Sequence, residues 1–599
     1  MKIKLANYVS KFFVDNGVKD CFMVTGGGAM HLNDAFGNQK NLNCTFNHHE
    51  QACAIAAESY ARITGDIAVV CVTSGPGGTN AITGVMGGYL DSIPMFIISG
   101  QVKRETTIYS CPDINIRQLG DQEFDIVNSV SNMTKYAVII MEPLDIAYHL
   151  EKALYLAKDG RKGPVWIDIP LDVQGAMIET DELKHFYPEK ENFWNEKYVS
   201  YDKINEIVSR IKEAKSPLIL AGSGITSSNS RRKFLKLVEK FKIPVVTAWN
   251  CGDLLSFDSE YFVGVPGTVG TRSGNFAIQN CDLLLSLSCR MNIRMIGYNK
   301  YDFAKNAYKI VVDIDKNELM KPTIKVDLPI HTDVSDFIDR MIDSNYKSNS
   351  NHKKWLKWCK NNLKKYPVVQ ESYHRDDKFI NPYVFIDKLF DNLESDDRII
   401  CGNGSACVIT FQVAKIKQGQ RMFTNSGCAS MGYGLPAALG VAVSNNDKRT
   451  ICIDGDGSIM MNLQELSTIS YNKLNIKIFL INNNGYHSIR QTQRNLFKGN
   501  FIGIDNKTGV GFYDFCKIAD AFNIKYFKIE SEKDSEIINS TLKSSGPCLC
   551  EVFVDGNQNF APKSSSKVLP NGNIVSPSLD DMFPFLDREE YESNRYINI

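Results

Sequence analysis

The chain has 599 residues, of which 68 are Lys or Arg and 68 are Asp or Glu, so its formal net charge is zero. This balance argues against binding to nucleic acid or to an anionic membrane surface, since both favour a basic excess. Apolar residues make up 43% of the chain and charged residues 23%, which is ordinary for a globular protein. A chain of this length is expected to form about three or four domains.

The sequence also indicates where the protein resides. No apolar run reaches the length that a membrane span needs, and the N-terminus enters an amphipathic helical pattern rather than a signal peptide. The 16 cysteines are scattered through apolar segments, as at Cys71, Cys401 and Cys452, which is typical of reduced core thiols. We therefore expect a cytoplasmic protein with no membrane partner.

Three regions of alternating strands and helices follow one another along the chain. The first, residues 1–180, has predicted strands at 20–24, 44–46, 68–72, 95–98 and 164–169. The second, residues 190–345, has them at 217–221, 244–247, 283–287 and 309–314. The third, residues 377–560, has them at 398–401, 450–454, 476–481 and 548–554, and a polar tail follows over 561–599. The alternation predicts an α/β fold with three doubly wound parallel sheets, and the tail is predicted to form an arm or lid.

The most informative motif joins the strands predicted at 450–454 and 476–481. Gly455-Asp456-Gly457-Ser458 follows the first strand, and Asn482-Asn483-Asn484-Gly485 follows the second. The flanking glycines are expected to turn the backbone sharply beside a ligand, and a helix predicted over 462–472 would point its first amides at a phosphate. One carboxylate, one amide oxygen and one carbonyl suit Mg²⁺. An isolated Gly-Asp-Gly is often only a turn, but its pairing with Asn482 and Asn483 favours a metal–diphosphate site.

Further motifs extend this pattern over nearly the whole chain. They are Thr25-Gly-Gly-Gly-Ala29, His49-Glu50-Gln51, the segments 56–62 and 73–80, Asp91-Ser-Ile-Pro94, the segments 431–438 and 461–466, and Arg490-Gln491. On these residues the chain resembles the acetolactate synthase and pyruvate oxidase group of thiamine-diphosphate (ThDP) enzymes. The resemblance implies a pyrimidine-binding domain over 1–180, a central domain over 190–345 and a diphosphate-binding domain over 377–560, with an arm over 561–599.

The resemblance also implies roles for single residues. Asp456, Asn483 and Gly485 would bind Mg²⁺, and Glu50 would hydrogen-bond the pyrimidine ring and so promote loss of the thiazolium proton. His49 and Gln122 are the other catalytic candidates, although Asp121 stands where the family has Phe. The remaining candidates for ThDP contact are Thr73, Gly75, Pro76, Asn80, Ala429, Met431, Gly455, Gly457, Ser458, His487 and Ser488. Structural alternatives are a first-turn glutamate at 50 that is stabilised by the helix dipole, a surface glutamine at 122 and a core methionine at 431.

The central region has features of a nucleotide site. By the resemblance, FAD would lie against Gly222, Gly224, Arg290, Arg294 and Asp313. Glycines allow close approach, arginines pair with a diphosphate and an acid at a strand end can bind a ribose. The alternative is a domain of the same fold that binds no flavin.

The acceptor side differs from that of a housekeeping synthase. Thr492 stands where the family has a Trp that selects a 2-ketoacid acceptor, and Ser488 replaces a Met. Loss of these side chains enlarges the site, and the tail looks like that of ThDP enzymes in surface-polysaccharide biosynthesis. We therefore expect decarboxylation of pyruvate or a related 2-ketoacid and transfer of two carbons to a carbonyl acceptor such as a nucleotide-linked ketosugar.

Three other functions stay open at this point. They are a true acetolactate synthase with pyruvate as acceptor, a simple 2-ketoacid decarboxylase, and a family member without catalysis. Because the family builds each ThDP site from two chains, a homodimer is the smallest active unit that the resemblance implies, and a homotetramer is the alternative.

Overall fold

The computed structural model describes residues 1–191, 193, 198–375, 378–568 and 571–596. Asp377, where the predicted third region begins, and residues 597–599 of the predicted arm lie outside this set. The chain forms three six-stranded parallel sheets among helices, so the predicted α/β fold class is confirmed. In the described part of the chain, no helix combines the length and apolar character that a membrane span requires.

The first region contains one six-stranded sheet and a short antiparallel pair. Its strands are β1 (Lys2–Lys4), β2 (Asp20–Met23), β3 (Asn43–Phe46), β4 (Val69–Val72), β5 (Met95–Gln101), β6 (Tyr136–Ile139), β7 (Pro164–Pro170) and β8 (Met177–Glu179). Its helices are α1 (Leu5–Asp15), α2 (Met30–Gly37), α3 (Glu50–Thr64), α4 (Pro76–Asp91), α5 (Ile126–Val130), α6 (Ile146–Lys158) and α7 (Leu171–Gly175). The strand order is β3-β2-β4-β5-β7-β6, and β1 pairs with β8.

The central region has a second sheet of different order. Its strands are β9 (Pro217–Ala221), β10 (Val245–Thr247), β11 (Phe262–Gly264), β12 (Leu283–Leu287), β13 (Tyr308–Asp313) and β14 (Leu328–His331). Its helices are α8 (Tyr201–Glu213), α9 (Gly224–Ser227), α10 (Arg231–Phe241), α11 (Arg272–Asn280), α12 (Ile293–Ile296), α13 (Lys316–Met320) and α14 (Val334–Asp343). The order β11-β10-β9-β12-β13-β14 is that of dinucleotide-binding folds.

The third region follows the connecting helix α15 (His352–Lys365). Its strands are β15 (Arg398–Cys401), β16 (Arg421–Phe423), β17 (Thr450–Gly455), β18 (Ile476–Asn482), β19 (Lys525–Ile529) and β20 (Cys548–Phe553), in the order β16-β15-β17-β18-β20-β19. Its helices are α16 (Pro382–Asn392), α17 (Ser405–Val413), α18 (Gly434–Ser444), α19 (Asp456–Ile459), α20 (Glu465–Tyr471), α21 (His487–Leu496), α22 (Phe515–Ala521) and α23 (Glu536–Lys543). The tail adds β21 (Lys567–Val568), β22 (Ile574–Val575) and α24 (Arg588–Ser593).

Helices α3 and α18 hold the first and third regions together. A Cβ on Gly440 of α18 would lie 2.1 Å from the carbonyl oxygen of Ala56, so the two helices approach as closely as glycine allows. Ser59 Oγ donates to the carbonyl of Ala437 (2.8 Å), and the Tyr433 hydroxyl donates to Glu58 (2.9 Å). The two regions therefore share one core, and their loops are fixed relative to each other.

Candidate active site

A buried polar pocket lies where β17 and β18 end, at the carboxyl edge of the third sheet. The Asp456 carboxylate, with 1% exposure, accepts hydrogen bonds from the amides of Gly457 (3.0 Å) and Gly485 (2.9 Å). Asn483 is also buried, and its Oδ1 has no hydrogen-bond partner among the described residues. Because a buried oxygen without a partner is costly, this atom is suited to a cation ligand. Because β17 and β18 pair in parallel, Asp456, Asn483 and Gly485 lie at the same edge of the sheet, next to each other as the sequence predicted.

The chemistry of this pocket suits a divalent cation. Burial raises the pKa of Asp456 to about 7, and a cation beside the carboxylate would favour its charged form. No group of three His, Cys, Asp or Glu side chains suited to a metal occurs in the described residues. The protein ligands of a magnesium ion here would therefore be the Asp456 carboxylate, the Asn483 amide oxygen and a backbone carbonyl. Phosphate oxygens would supply further ligands.

The two glycines beside Asp456 do not make the sharp turn that the sequence predicted. Neither has a positive φ, and a Cβ on Gly455 would meet open space. Gly457 must be small because a Cβ there would lie 2.3 Å from the ring of Tyr486. The positive φ occurs at Gly485 (132°), where a Cβ would lie 2.1 Å from the carbonyl oxygen of Ile504. The helix predicted over 462–472 is present as α20 (Glu465–Tyr471), but helical structure already begins at Asp456 as soon as β17 ends, in the short helix α19 that the sequence did not predict.

The turn that carries Met431 lies against this motif. The amide of Gly432 donates to Ser458 Oγ (3.0 Å), and its carbonyl accepts from Asn462 Nδ2 (2.7 Å). Gly432 has φ 79°, and a Cβ there would lie 2.8 Å from Asn462 Nδ2. The backbone of Gly432 therefore holds the preceding residue, Met431, close to Ser458. Met431 and Ser458 both lie near the Asp456 pocket.

The carbonyl of Ala429 is presented by an unusual backbone conformation and has a partner that the sequence did not reveal. Ala429 has φ 53°, which costs energy for a residue with a Cβ. Its carbonyl accepts from Asn403 Nδ2, while Asn403 Oδ1 accepts from the amide of Gly404 (2.7 Å). Asn403 follows β15, so its place after a buried strand was the one available signal.

Glu50 is the first residue of α3 and is buried, with 9% exposure. Its Oε2 accepts from Asn80 Nδ2 (3.0 Å), and a Cβ on Gly77 would lie 3.7 Å from Oε1. His49 precedes the helix as its N-cap, where Nδ1 accepts from the amide of Gln51 (3.1 Å). The structure therefore gives His49 a capping role and joins Glu50 to the loop that begins α4.

The loop after β4 carries three further predicted residues. Thr73 Oγ1 accepts from the amide of Gly28 (3.0 Å), and Pro76 is the first residue of α4. Gly75 has φ 56°, and a Cβ there would lie 2.5 Å from the carbonyl oxygen of Gln122. Only glycine fits this contact, so the loop bearing Gln122 packs directly on the loop that faces Glu50.

Gln122 itself projects from a strained loop. It is exposed and has φ 62°. The next residue, Glu123, is buried, and its carboxylate accepts from the amides of Leu119 (2.7 Å) and Gly120 (3.1 Å). Glu123 therefore anchors the loop that presents Gln122. The sequence does not reveal this anchor, because a single glutamate in a loop carries no pattern of its own.

Helix α21 follows the metal motif and presents two different faces. Ser488 Oγ would lie 3.6 Å from a Cβ on Gly404, and Thr492 on the next turn is exposed. His487 and Gln491 are buried, and their side chains contact each other. Burial, with the nearby Arg490 charge, lowers the pKa of His487 to about 4, so the imidazole is neutral. The structure thus separates Ser488, on the side of the Gly404 loop, from the enclosed His487.

The central sheet borders a cleft of about 900 Å³ that is lined by all three regions. Gly224, Arg290, Arg294 and Asp313 line it, and at one end it reaches Ala429. Gly222 instead serves packing, since a Cβ there would lie 2.0 Å from the carbonyl oxygen of Ser288.

Charged groups in this cleft are partly engaged with protein atoms. Arg290 donates to the carbonyl of Leu90 (3.1 Å), and Asp313 accepts from the amide of Asp315 (2.9 Å). Burial raises the pKa of Asp313 to about 6. Arg161 from the first region pairs with Asp315 at 2.8 Å. The cleft nevertheless has the volume and the arginines that a dinucleotide needs.

Comparison with known proteins gives a consistent result for all three regions. Residues 3–128 match the family described as thiamine pyrophosphate enzyme, N-terminal TPP binding domain; residues 204–341 match its central domain, and 402–552 its C-terminal TPP binding domain. The acetolactate synthase large subunit of Lactococcus lactis subsp. lactis (strain IL1403) is 31% identical over 91% of this chain and 92% of its own. The chain belongs to the acetolactate-synthase-like ThDP enzymes.

Other similar proteins agree with this membership. The acetolactate synthase large subunit of Pyropia yezoensis is 32% identical over 92% of this chain and 91% of its own. A probable acetolactate synthase large subunit of Methanococcus aeolicus is 32% identical over 94% of this chain and 93% of its own. As a ThDP enzyme, the chain carries Glu50 within its N-terminal match and Asp456, Asn483 and Gly485 within its C-terminal match.

Proposed function

We propose that this enzyme decarboxylates pyruvate or a related 2-ketoacid with ThDP and Mg²⁺, and transfers the two-carbon unit to a nucleotide-linked ketosugar. The observation that carries the catalytic part is the buried pair of Asp456 and the unpartnered Asn483 Oδ1 at one sheet edge. When bound, ThDP supplies the electron sink for decarboxylation. Similarity to proteins named acetolactate synthase supports the two-carbon transfer.

Each side chain has a distinct task in this proposal. Asp456, Asn483 and the Gly485 carbonyl would hold Mg²⁺ and, through it, the diphosphate. Glu50, oriented by Asn80 at 3.0 Å, would exchange a proton with the pyrimidine ring. Ala429, in its strained conformation, would present its carbonyl to the pyrimidine amino group in place of Asn403.

Small side chains on α21 support a large acceptor. Ser488 faces the Gly404 loop and Thr492 is exposed on the next turn, so no large apolar side chain extends from these two positions. Since a bulky wall there would restrict the acceptor to small ketoacids, the open surface favours a sugar-sized carbonyl compound.

Two further features belong to the proposal. FAD would occupy the central cleft, where Arg290 and Arg294 are available to its diphosphate. A homodimer would complete each site, because Gln122 is exposed beside apolar side chains that a partner would cover. These are Tyr109, Ile114, Leu119 and Phe124. Absorption of released flavin and the mass in solution test these two statements separately.

Product analysis tests the reaction. We expect carbon dioxide release from pyruvate only when both ThDP and Mg²⁺ are present, and a sugar adduct when a nucleotide-linked 4-ketosugar is added. The variant Thr492→Trp should lower sugar transfer while carbon dioxide release continues, and Thr492→Ser is the matched control. If acetolactate forms as fast as any sugar adduct, the acceptor assignment is wrong.

A true acetolactate synthase is the second candidate. The relatives reported above, which carry that name and align over about nine-tenths of this chain, favour it. In that case pyruvate alone would give acetolactate, and Thr492→Trp would leave the product unchanged.

A further inference from the structure

A polar seam runs between α21 and the chain that follows β20. We define the α21–arm seam by His487, Gln491 and Arg494 on the helix and by Asn557, Asn559, Phe560 and Lys563 on the chain facing it. Gln491 Oε1 accepts from Lys563 Nζ (3.4 Å) and from the amide of Phe560 (3.5 Å). Arg494 Nη2 donates to Asn557 Oδ1 (3.1 Å). Since Gln491 and Arg494 are three residues apart, these contacts lie side by side on the helix.

Two cations in the seam have no acidic partner. Within the described residues, neither Lys563 nor Arg494 forms an ion pair with a carboxylate, and each contacts an amide oxygen instead. Lys563 is half-buried, and burial lowers the pKa of its ammonium. A cation removed from water without an anion is unfavourable. In contrast, Lys567 in the same arm pairs with Asp581.

A buried polar atom of the seam is also unpartnered. His487 is 6% exposed, and its ring contacts Gln491 and the backbone of Gln558 and Gly556, so the ring is engaged by protein atoms. Asn559 Oδ1, in contrast, has no hydrogen-bond partner in the part of the chain described. The seam thus contains polar groups that are not fully satisfied by protein atoms.

We propose that the α21–arm seam binds the diphosphate of a nucleotide-linked acceptor through Lys563 and Arg494. The inference rests on the proposed function and adds the residues that recognise the acceptor. A coenzyme diphosphate would be held at the Asp456–Asn483 pocket, so the seam is free for a second one. Two cations with separate amide contacts match the two phosphoryl groups of such a ligand. Ser488 and Thr492 directly follow His487 and Gln491 on α21, so the sugar would pass around the helix from the seam to the side that faces the Gly404 loop.

Calorimetric titration of the holoenzyme tests this proposal without turnover. The protein is saturated with ThDP, Mg²⁺ and FAD, and UDP is added as the probe. We expect UDP to bind, and Lys563→Met and Arg494→Met each to weaken its Kd about tenfold. Lys563→Arg keeps the charge and should retain most of the affinity. Lys567→Met is the matched control, because that lysine already has an acidic partner, and it should change the Kd less than about twofold.

Three outcomes would overturn the assignment. The first is UDP affinity that is the same in folded Lys563→Met and Arg494→Met proteins, with folding checked by thermal unfolding. The second is loss of affinity in Arg290→Met instead, which would place the nucleotide in the central cleft. The third is binding of inorganic pyrophosphate without binding of UDP, which would indicate a free-anion site. Carbon dioxide release from pyruvate is measured in parallel, so failure of the proposed function is recognised separately.

Discussion

The first and third sheets have the same strand order, yet their loops carry different chemistry. In β3-β2-β4-β5-β7-β6 and β16-β15-β17-β18-β20-β19, the chain reverses direction across the sheet at the corresponding pair of strands. Loops at such a point form a crevice at the carboxyl edge. In the first sheet the residues beside this edge are Glu50, in the helix after β3, and Asn80, in the helix after β4; in the third sheet they are Asp456, after β17, and Asn483, after β18. The shared topology therefore creates a ligand crevice at the same edge of both sheets. The residues beside the crevice decide whether it activates the coenzyme, as Glu50 would, or anchors it, as Asp456 would.

The largest expected effect on activity comes from replacing Glu50, which lies beside the crevice of the first sheet. Glu50→Gln keeps the shape and the contact with Asn80 but removes the proton-exchanging group. We expect the rate of carbon dioxide release from pyruvate to fall by about 10²–10⁴-fold, with ThDP binding changed little. Stopped assays at saturating ThDP measure the rate, and fluorescence titration measures binding. A variant that binds ThDP poorly and turns over normally when saturated would show that Glu50 anchors rather than activates.

Replacement of Asp456, beside the crevice of the third sheet, should instead weaken coenzyme binding. Asp456→Asn keeps the shape and one of the two oxygens that accept from the amides of Gly457 and Gly485, but it removes the other oxygen and the charge that a cation needs. We expect Mg²⁺-dependent ThDP affinity to fall by about 10–100-fold. Chelation of Mg²⁺ by EDTA should weaken ThDP binding in the wild type but have little further effect in the variant. Equal metal dependence in both proteins would contradict the assignment.

Each sheet also contains a buried acid, and the one in the first sheet can be tested by pH. Burial raises the pKa of Asp168 to about 7, although Ser99 (2.6 Å) and Gln101 (2.9 Å) donate to it. The native state therefore keeps its proton up to about pH 7, whereas in the unfolded state the carboxyl has its ordinary pKa of 3.8 and releases the proton earlier. Between these values the unfolded state binds fewer protons, so stability falls as pH rises from about 4 to 7.

Replacement by the amide removes this dependence. Asp168→Asn should be more stable than the wild type at pH 8, by up to about 4 kcal/mol, and no more stable at pH 4. Denaturant unfolding at the two pH values measures the difference. A stability gap that does not change with pH would show that Asp168 is charged in the native state.

The smallest effect tests whether the two crevices meet across a dimer. When ThDP is limiting, the Glu50→Gln and Asp456→Asn proteins are each expected to be nearly inactive, the first because proton exchange is lost and the second because ThDP binds weakly. If one crevice from each chain forms a site, co-expression should restore about a quarter of the wild-type activity, because half of the dimers are mixed and one site in each mixed dimer is intact. No recovery in verified mixed dimers would mean that each site is built within one chain.

The sequence by itself determined the buried strands and the motifs that follow them. Runs such as 450–454 and 476–481 are mostly apolar because helices cover both faces of the sheet. The motif spacing then identified Asp456, Asn483 and the family. The strands of the six-stranded sheets that are absent from the predicted set, β6, β11, β14, β16 and β19, all lie at sheet edges, and among the six edge strands only β3 is predicted, over 44–46. Several edge strands are short or half-exposed, as β6 and β19 are, so their apolar pattern is weak.

Only the tertiary structure decided how distant segments meet. Three contacts join residues that are far apart in the chain. They are the contact of Gly457 with Tyr486, the hydrogen bond from Asn403 to Ala429, and the hydrogen bond from Lys563 to Gln491. Local sequence cannot show that a glycine is required by a neighbour's ring or that a lysine lacks an acid, because both depend on packing between elements.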